Sequence, residues 1–367
     1  MNYLEDLKKI ININSYSKNP TGVNNVSDVM TSWLNELEYE NIIYTRETIG
    51  NHNLYKSKKN KQTKILLLGH NDTVFPPNTF ENFSEDEEWV YGPGVCDMKG
   101  GNIVALQALR NIHNTFGEIL NIDLLLVSDE EIGSEDSSLV LKEIAKNYDI
   151  CLDFEAAGEA DEIVVGRKGV GTFTLNIEGK AAHAGNKYLD GINANLEGAY
   201  KLQELIKLTD IENGSTVNPG KIIGGIGANT ISPKCEITVE IRYTNHEEKQ
   251  RLLDGLNKIS ETSYVPGTTC ELLGKIQRDV MEENQEQIEL IKLIETVTEL
   301  KIPTEKRGGV SDANIVSNCA VITLDGFGPY GDGDHTIKER ASKSSFEQRI
   351  EMVTKILSYY MSEAKGN

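Results

Sequence analysis

The sequence has no apolar run approaching the roughly 20 residues that a membrane-spanning helix needs, so no membrane partner is expected. The N-terminal stretch MNYLEDLKKIININSYS interleaves charges with apolar residues at helical spacing. It lacks the uninterrupted apolar core and the small-residue cleavage site of a signal peptide, and the reading this gives is a cytoplasmic protein. Paired cysteines are missing too. The five cysteines (Cys96, Cys151, Cys235, Cys270 and Cys319) are odd in number and scattered, with no C-x-x-C. That excludes a disulfide framework and a zinc ribbon and leaves reduced, mostly buried thiols. Positive charge is scarce: 37 Lys and Arg stand against 57 Asp and Glu, for a net charge of −20. Such a surface repels phosphates, so no nucleic-acid partner is expected.

What is present is an ordinary globular composition, 38% hydrophobic and 26% charged, over 367 residues. That length exceeds a typical single domain and makes two domains the starting expectation. The excess of carboxylates serves solubility, but carboxylates are also what a hard metal site requires. If the substrate is an anion, the field of the whole molecule opposes it, and a local cluster of arginines must do the binding.

The first third alternates strands and helices. Residues 1–13 and 24–37 carry apolar positions at helical spacing, and strands are expected over 41–47 and 52–57. KILLLGH is a continuous apolar run ending on His70, as expected for a strand buried on both faces. After a helix over 98–114, NIDLLLVSDEE and DICLDFEAA repeat the pattern, ending on the pair Glu130–Glu131 and on Glu155. Three buried strands thus deliver polar residues at their C-terminal ends, the edge where open α/β sheets bind ligands. Near residue 168 the pattern changes to period 2. A helix (192–208), strands (221–228 and 234–243), a helix (246–261) and a strand (268–274) follow the alternating VGTFTLNIEG. This β-α-β-β-α-β order is ferredoxin-like. Helices over 285–300, 311–317 and 344–364 and the strand AVITLDG complete the chain. The expected architecture is a discontinuous α/β domain, 1–167 and 282–367, with helices on both faces of a mixed sheet. It carries an inserted α+β domain over 168–281. The acidic stretch ENFSEDEEW (81–89) reads as a solvated loop.

Each motif alone is ambiguous. GHNDTV places His70 and Asp72 two apart at a strand end, where an imidazole can bind zinc and a carboxylate can fix its tautomer; many such pairs do neither. In YGPGVCDMKGG, Asp97 precedes a helix whose first turn holds Gly100 and Gly101. Glycines there point to close backbone approach, and the helix start favours an anion, although an ordinary capping aspartate has the same look. Neighbouring acids such as Glu130 and Glu131 can divide metal binding from proton transfer, or can simply be solvated. His335, in the glycine-rich GPYGDGDHT, fits no core periodicity and is a metal ligand or a surface histidine.

Taken in order, His, Asp, Glu-Glu, Glu and His resemble the dinuclear zinc aminoacylase/carboxypeptidase superfamily, most closely its glutamate carboxypeptidase branch. GPGVCDMKGG and GKAAHAG carry the resemblance most specifically, and it covers nearly the whole chain, the inserted domain included. It implies two Zn2+ per subunit, with Co2+ or Mn2+ as alternatives. His70 and Glu155 would hold one ion, Glu131 and His335 the other, and Asp97 would bridge them with a water or hydroxide. Asp72 would orient His70, and Glu130 would be the general base. The inserted domain resembles the family's lid or dimerisation domain, which implies a homodimer. His183, in GKAAHAG, resembles the histidine that steadies the oxyanion, in relatives across from the partner subunit; a surface histidine on a turn is the alternative. Asn229 and Arg242 resemble the residues that hold a substrate carboxylate, with a surface ion pair as the alternative for Arg242. Arg278 falls where relatives often carry an Arg-Pro pair, and the proline is absent. RGGVSDAN resembles a substrate-side loop, which makes Gly308, Gly309, Ser311 and Asp312 candidates without assigned roles. The activity implied is hydrolysis of a small peptide, with C-terminal glutamate favoured by the branch it resembles, or of an N-acyl amino acid. A non-catalytic metal-dependent binding protein would have lost the base or a ligand, and none is missing here.

Overall fold

The run KILLLGH forms the strand Ile65–His70, and all six of its residues are buried. It lies inside a six-stranded sheet in a computed structural model that describes residues 3–366. The strands run in the order Glu40–Tyr44, His52–Lys56, Ile122–Val127, Ile65–His70, Ile150–Asp153, Ile322–Leu324. The last four are mutually parallel, and the first two are antiparallel additions at one edge. Ile65 and Leu67 enter one apolar core with residues of the helices Lys99–Phe116 and Lys343–Lys365. Leu66 and Leu68 enter a second core, with residues of the helix Ser137–Ile144. Burial on both faces is why the sequence shows a continuous apolar run there and no alternation. Each such leucine contributes roughly 1.5–3 kcal/mol of burial.

The helix expected over 24–37 is Pro20–Asn35. It starts earlier because Asn19 caps it, accepting from the amide of Gly22, and Pro20 occupies its first turn. The acidic stretch is not wholly loop: Ser84–Glu85 and Trp89–Tyr91 pair as strands, and Trp89–Tyr91 also pairs with Arg340–Ser342. Arg340–Ser342 in turn pairs with Gly331–Asp332.

By its internal contacts the chain forms two units. The first comprises residues up to Val165, Glu283–Lys306 and the chain from Ser311 on; the second comprises Gly166–Glu282 with Arg307–Val310. The second unit holds a four-stranded antiparallel sheet in the order Thr216–Gly224, Lys234–Tyr243, Gly169–Glu178, Thr269–Arg278. Numbered by sequence that is second, third, first, fourth, the ferredoxin-like order. In Lys234–Tyr243 every second residue is buried, from Cys235 to Tyr243. These residues share a core with Leu205, Leu252 and Leu256 of the helices Ala194–Lys207 and His246–Glu261. The strand expected over 221–228 is Thr216–Gly224 instead. A bulge between Asn218 and Lys221 absorbs Pro219 and Gly220, which an edge strand tolerates, and Gly225, at φ 80°, begins the loop that follows. No helix among the described residues is long and apolar enough to cross a membrane.

Candidate metal centre

The next strand of this sheet in sequence after Ile65–His70 is Ile122–Val127, which lies on one side of it, and the following one, Ile150–Asp153, lies on the other. The C-terminal end of Ile65–His70 is therefore a topological switch point, the place where an open α/β sheet leaves a crevice. His70 is the last residue of that strand. Glu130 and Glu131 follow Ile122–Val127 in a single 3-10 turn that Gly133 closes at φ 104°. Glu155 follows Ile150–Asp153 by two residues. His335 lies between the short strands Gly331–Asp332 and Arg340–Ser342 with a left-handed backbone, φ 59°. A histidine pays roughly 1–2 kcal/mol for that conformation, a cost typical of functional positions.

Asp97 ends a turn held from behind by Glu339, a residue only 1% exposed. One Glu339 oxygen accepts from the amide of Gly94 at 3.0 Å, the other from Cys96 at 2.9 Å and Asp97 at 3.0 Å. The peptide between Asp97 and Met98 is cis. Gly100 and Gly101 do mark close backbone approach, but to the protein itself. A Cβ at Gly100 would stand 2.0 Å from the Val95 carbonyl, and one at Gly101 would stand 1.9 Å from that of Phe154. The second contact seats the helix start directly against the residue before Glu155.

Asp97 divides its carboxylate between the two histidines. Oδ1 lies 3.1 Å from His70 Nε2, and Oδ2 lies 3.3 Å from His335 Nε2. Glu155 stands on the His70 side, at 3.7 Å, and Glu131 on the His335 side, at 3.0 Å. His70, Asp97 and Glu131 offer ligand atoms all within 4.8 Å of one another, as do His70, Glu130 and Glu155. His70 Nδ1 lies 3.0 Å from the Asp72 carbonyl and 3.4 Å from its Oδ1, which leaves Nε2 facing Asp97. Asp72 does more than orient an imidazole. Its carboxylate also accepts from the amides of Glu130 (3.3 Å) and Glu131 (3.2 Å) and from the Ser17 hydroxyl (2.7 Å), so one buried group fixes both His70 and the acid pair.

Burial and close opposite charges perturb the ionisable groups of the site. Burial disfavours charge on His70, but hydrogen bonds to Asp72 and Asp97 outweigh it and hold the imidazole well above its ordinary range. Hydrogen bonds to Asp97 and Glu131 push His335 up to about 11. Burial raises Asp97, yet its bonds to His335 and His70 win and hold it below the usual carboxylate range. Burial, reinforced by the Asp97 charge, pushes Glu131 up to about 8 and raises Glu155 well above normal. The group keeps protons where divalent cations could replace them. Nitrogen and carboxylate donors in two half-sets that share Asp97 fit a pair of divalent metal ions.

The remaining expected residues are distributed as follows. His183, Asn229, Arg242, Arg278, Gly308 and Gly309 belong to the second unit. His183 Nδ1 accepts from the amides of Gly185 (3.1 Å) and Asn186 (3.2 Å), which puts its proton on Nε2. Asn229 is its neighbour: the Asn229 carbonyl accepts from Ala184 at 2.9 Å, and His183 bridges Thr230. Arg242 is bound to Glu240 and to the Gly308 carbonyl, both at 2.8 Å, and Gly309 accepts from Arg167 at 3.2 Å. Arg242 and Arg278 both register with Val170. A bulge between Ile276 and Arg278 brings Arg278 to the sheet face of Val170 and Arg242, away from the helices.

Asn229 and Arg242 lie toward opposite ends of the strand Lys234–Tyr243, roughly 25 Å apart at about 3.3 Å per residue. One expectation needs correction. Ser311 does not line a substrate-side loop. It is fully buried, and its hydroxyl donates to Asp325 at 2.8 Å and approaches Asp153 at 3.3 Å. Asp312 is buried as well and accepts from Ser134, which ties this segment to the turn after the acid pair. Sequence reasoning missed Glu339, Ser17 and Asn102, whose side-chain amide donates to the His70 carbonyl at 2.7 Å. It also missed Arg340, which stacks 4.0 Å from the Trp89 ring centre and forks onto Asp332 at 3.0 and 2.8 Å beside the His335 loop. Isolated polar residues within charged or helical stretches carry no pattern that would single them out.

A doubly wound sheet that presents this donor set at its switch point has the layout of a metal-dependent enzyme. Residues 66–359 match the model of peptidase family M20/M25/M40, and the chain belongs to that family. It is 25% identical over 369 residues to carboxypeptidase G2 of Pseudomonas sp. (strain RS-16), covering 96% of this chain and 88% of that one. It is 26% identical over 326 residues to succinyl-diaminopimelate desuccinylase of Rickettsia canadensis, covering 81% and 83%. Among solved structures, a tripeptidase from Staphylococcus aureus superposes with a TM-score of 0.82 at 20% identity, over 98% of this chain and 97% of that one.

Proposed function

We propose that the chain is a carboxypeptidase-type amide hydrolase that cleaves a small peptide or N-acyl amino acid and releases an amino acid, with C-terminal glutamate the favoured leaving group. The observation that carries this reading is Asp97, with one oxygen toward His70 and Glu155 and the other toward His335 and Glu131. In it, His70 and Glu155 hold one ion, Glu131 and His335 the other, and Asp97 is shared. When bound, the two ions supply Lewis acidity to the scissile carbonyl and make water a nucleophile near neutral pH. Glu130, its backbone fixed by Asp72, takes the proton from the attacking water and delivers it to the leaving amine. His183, with its proton on Nε2, donates to the developing oxyanion.

Arg242 and Arg278, on one sheet face, suit the carboxylate of the leaving amino acid, which would displace Glu240 from Arg242. His183 and Asn229 stand at the other end of the same sheet. A single substrate can meet both groups only if two chains contribute, which supports a homodimer built through the second unit. The preference for glutamate rests on the likeness to carboxypeptidase G2. The desuccinylase relative favours a second reading, removal of an acyl group from an amino acid by the same machinery.

Replacement of Glu130 by Gln tests the assignment. Hydrolysis of N-acyl amino acids and dipeptides should fall at least about 100-fold with zinc content unchanged. Wild-type turnover in that variant would refute the role of Glu130.

A further inference from the structure

At the opposite edge of the main sheet is a cavity of about 490 Å³, within the range of small-molecule sites. The strand Ile65–His70, about 17 Å long at 3.3 Å per residue, separates it from the metal centre. Its walls are apolar and aromatic: Ile42, Leu54 and Ile144 with the rings of Tyr44 and Tyr148. Its rim carries Lys56, Lys59, Lys64 and Lys146 against only two carboxylates, Asp123 and Glu143. In a chain of net charge −20, that is a local reversal of sign.

The arrangement is built, not incidental. Asp123 is fully buried and accepts from the Ser57 amide (2.8 Å), the Ser57 hydroxyl (3.0 Å) and the Tyr148 hydroxyl (2.7 Å). It also holds Lys59 Nζ at 2.6 Å, over the Tyr148 ring at 5.5 Å from its centre. The buried acid is thus consumed in placing one lysine and one ring. Among the described residues, Lys56, Lys64 and Lys146 form no ion pair with a carboxylate. Lys59 is held below its ordinary range, first by burial, against the pull of Asp123, with Lys56 and Lys64 adding to the shift, so these ammonium groups act on one space.

We propose that this cavity binds a small organic anion, a phosphate or phosphonate group carried on a flat apolar body. Ammonium groups act as point charges for the anionic oxygens, and the tyrosine and aliphatic walls take the body. This site is separate from the metal centre and does not depend on the proposed reaction.

Phenylphosphonate, titrated calorimetrically into the zinc-loaded protein in low salt, tests it. The double variant Lys56→Gln/Lys146→Gln should bind at least tenfold more weakly than wild type. A charge control on the second unit, Lys207→Gln/Lys258→Gln, should change affinity less than twofold. Inorganic phosphate should bind more weakly than phenylphosphonate, since it cannot use the walls. Equal losses in both double variants would overturn the proposal, because the phosphonate would then be responding to net charge or to the metals. Equal affinity for inorganic phosphate would overturn the organic body.

Discussion

Glu339 offers the most direct way to ask whether the turn bearing Asp97 is held or merely placed. Its carboxylate accepts three buried backbone amides, those of Gly94, Cys96 and Asp97, at 2.9–3.0 Å. Replacement by Ala strands all three donors. At about 1–3 kcal/mol each, partly relieved by entering water, the expected loss is roughly 3–6 kcal/mol. Replacement by Gln is the sharper test. One amide oxygen can keep Cys96 and Asp97, but the new NH2 then faces the Gly94 N–H, donor against donor. A loss of about 2–3 kcal/mol follows. Because Asp97 hangs from this turn, zinc affinity should fall about 10–100-fold, as for other residues that orient ligands from behind. Both tryptophans of the chain, Trp33 and Trp89, lie in the first unit, so their fluorescence during urea unfolding reports on the unit concerned. Competition with a chromophoric chelator measures the zinc. A Gln variant with wild-type unfolding midpoint and wild-type zinc affinity would show that the turn keeps its shape unaided.

Two further outcomes are expected. Zinc binding near pH 7 should release more than one proton and tighten as pH rises, since His335, pushed up to about 11, and His70, also raised, must lose their protons to coordinate; calorimetry in buffers of different ionisation heat counts them, and pH-independent uptake would contradict the arrangement. Arg340→Ala, which removes the stacking on Trp89 and the fork onto Asp332, should weaken the zinc on the His335 side several-fold more than the other. Equal weakening of both ions in a stepwise titration would count against it.

The sequence revealed the main sheet because burial on both faces leaves a continuous apolar signature, as in KILLLGH and NIDLLLV. Strand-end polarity then exposed His70, Glu130, Glu131 and Glu155. Boundaries failed where local rules gave way to pairing: Pro219 and Gly220 read as a break, yet a bulge carries the strand through them. The acidic stretch read as solvated, yet its end pairs with the strand beside the His335 loop. Gly100 and Gly101 announced close approach correctly and left its object open, since a missing side chain says nothing about what fills its place. Glu339 was invisible because its partners are main-chain amides more than 240 residues away, and main-chain amides leave no trace in residue identity. Arg242 and Asn229 stand out by resemblance alone, and their places toward opposite ends of one strand show only in the sheet.

The ligand from Gly331–Arg340 and the helix Lys343–Lys365 come after the whole second unit in the chain, while His70 through Glu155 precede it. During synthesis, then, four of the five proposed ligands leave the ribosome before the second unit is made. At roughly 5–20 residues per second, about ten seconds pass while the intervening unit is made. Over that interval the open sheet lacks its last strand and the covering helix, and its carboxylates face one another without His335. Under the proposed assignment the two half-sites therefore become available at different times: His70, Asp97 and Glu155 are made before the second unit, and His335 completes the other half only after it.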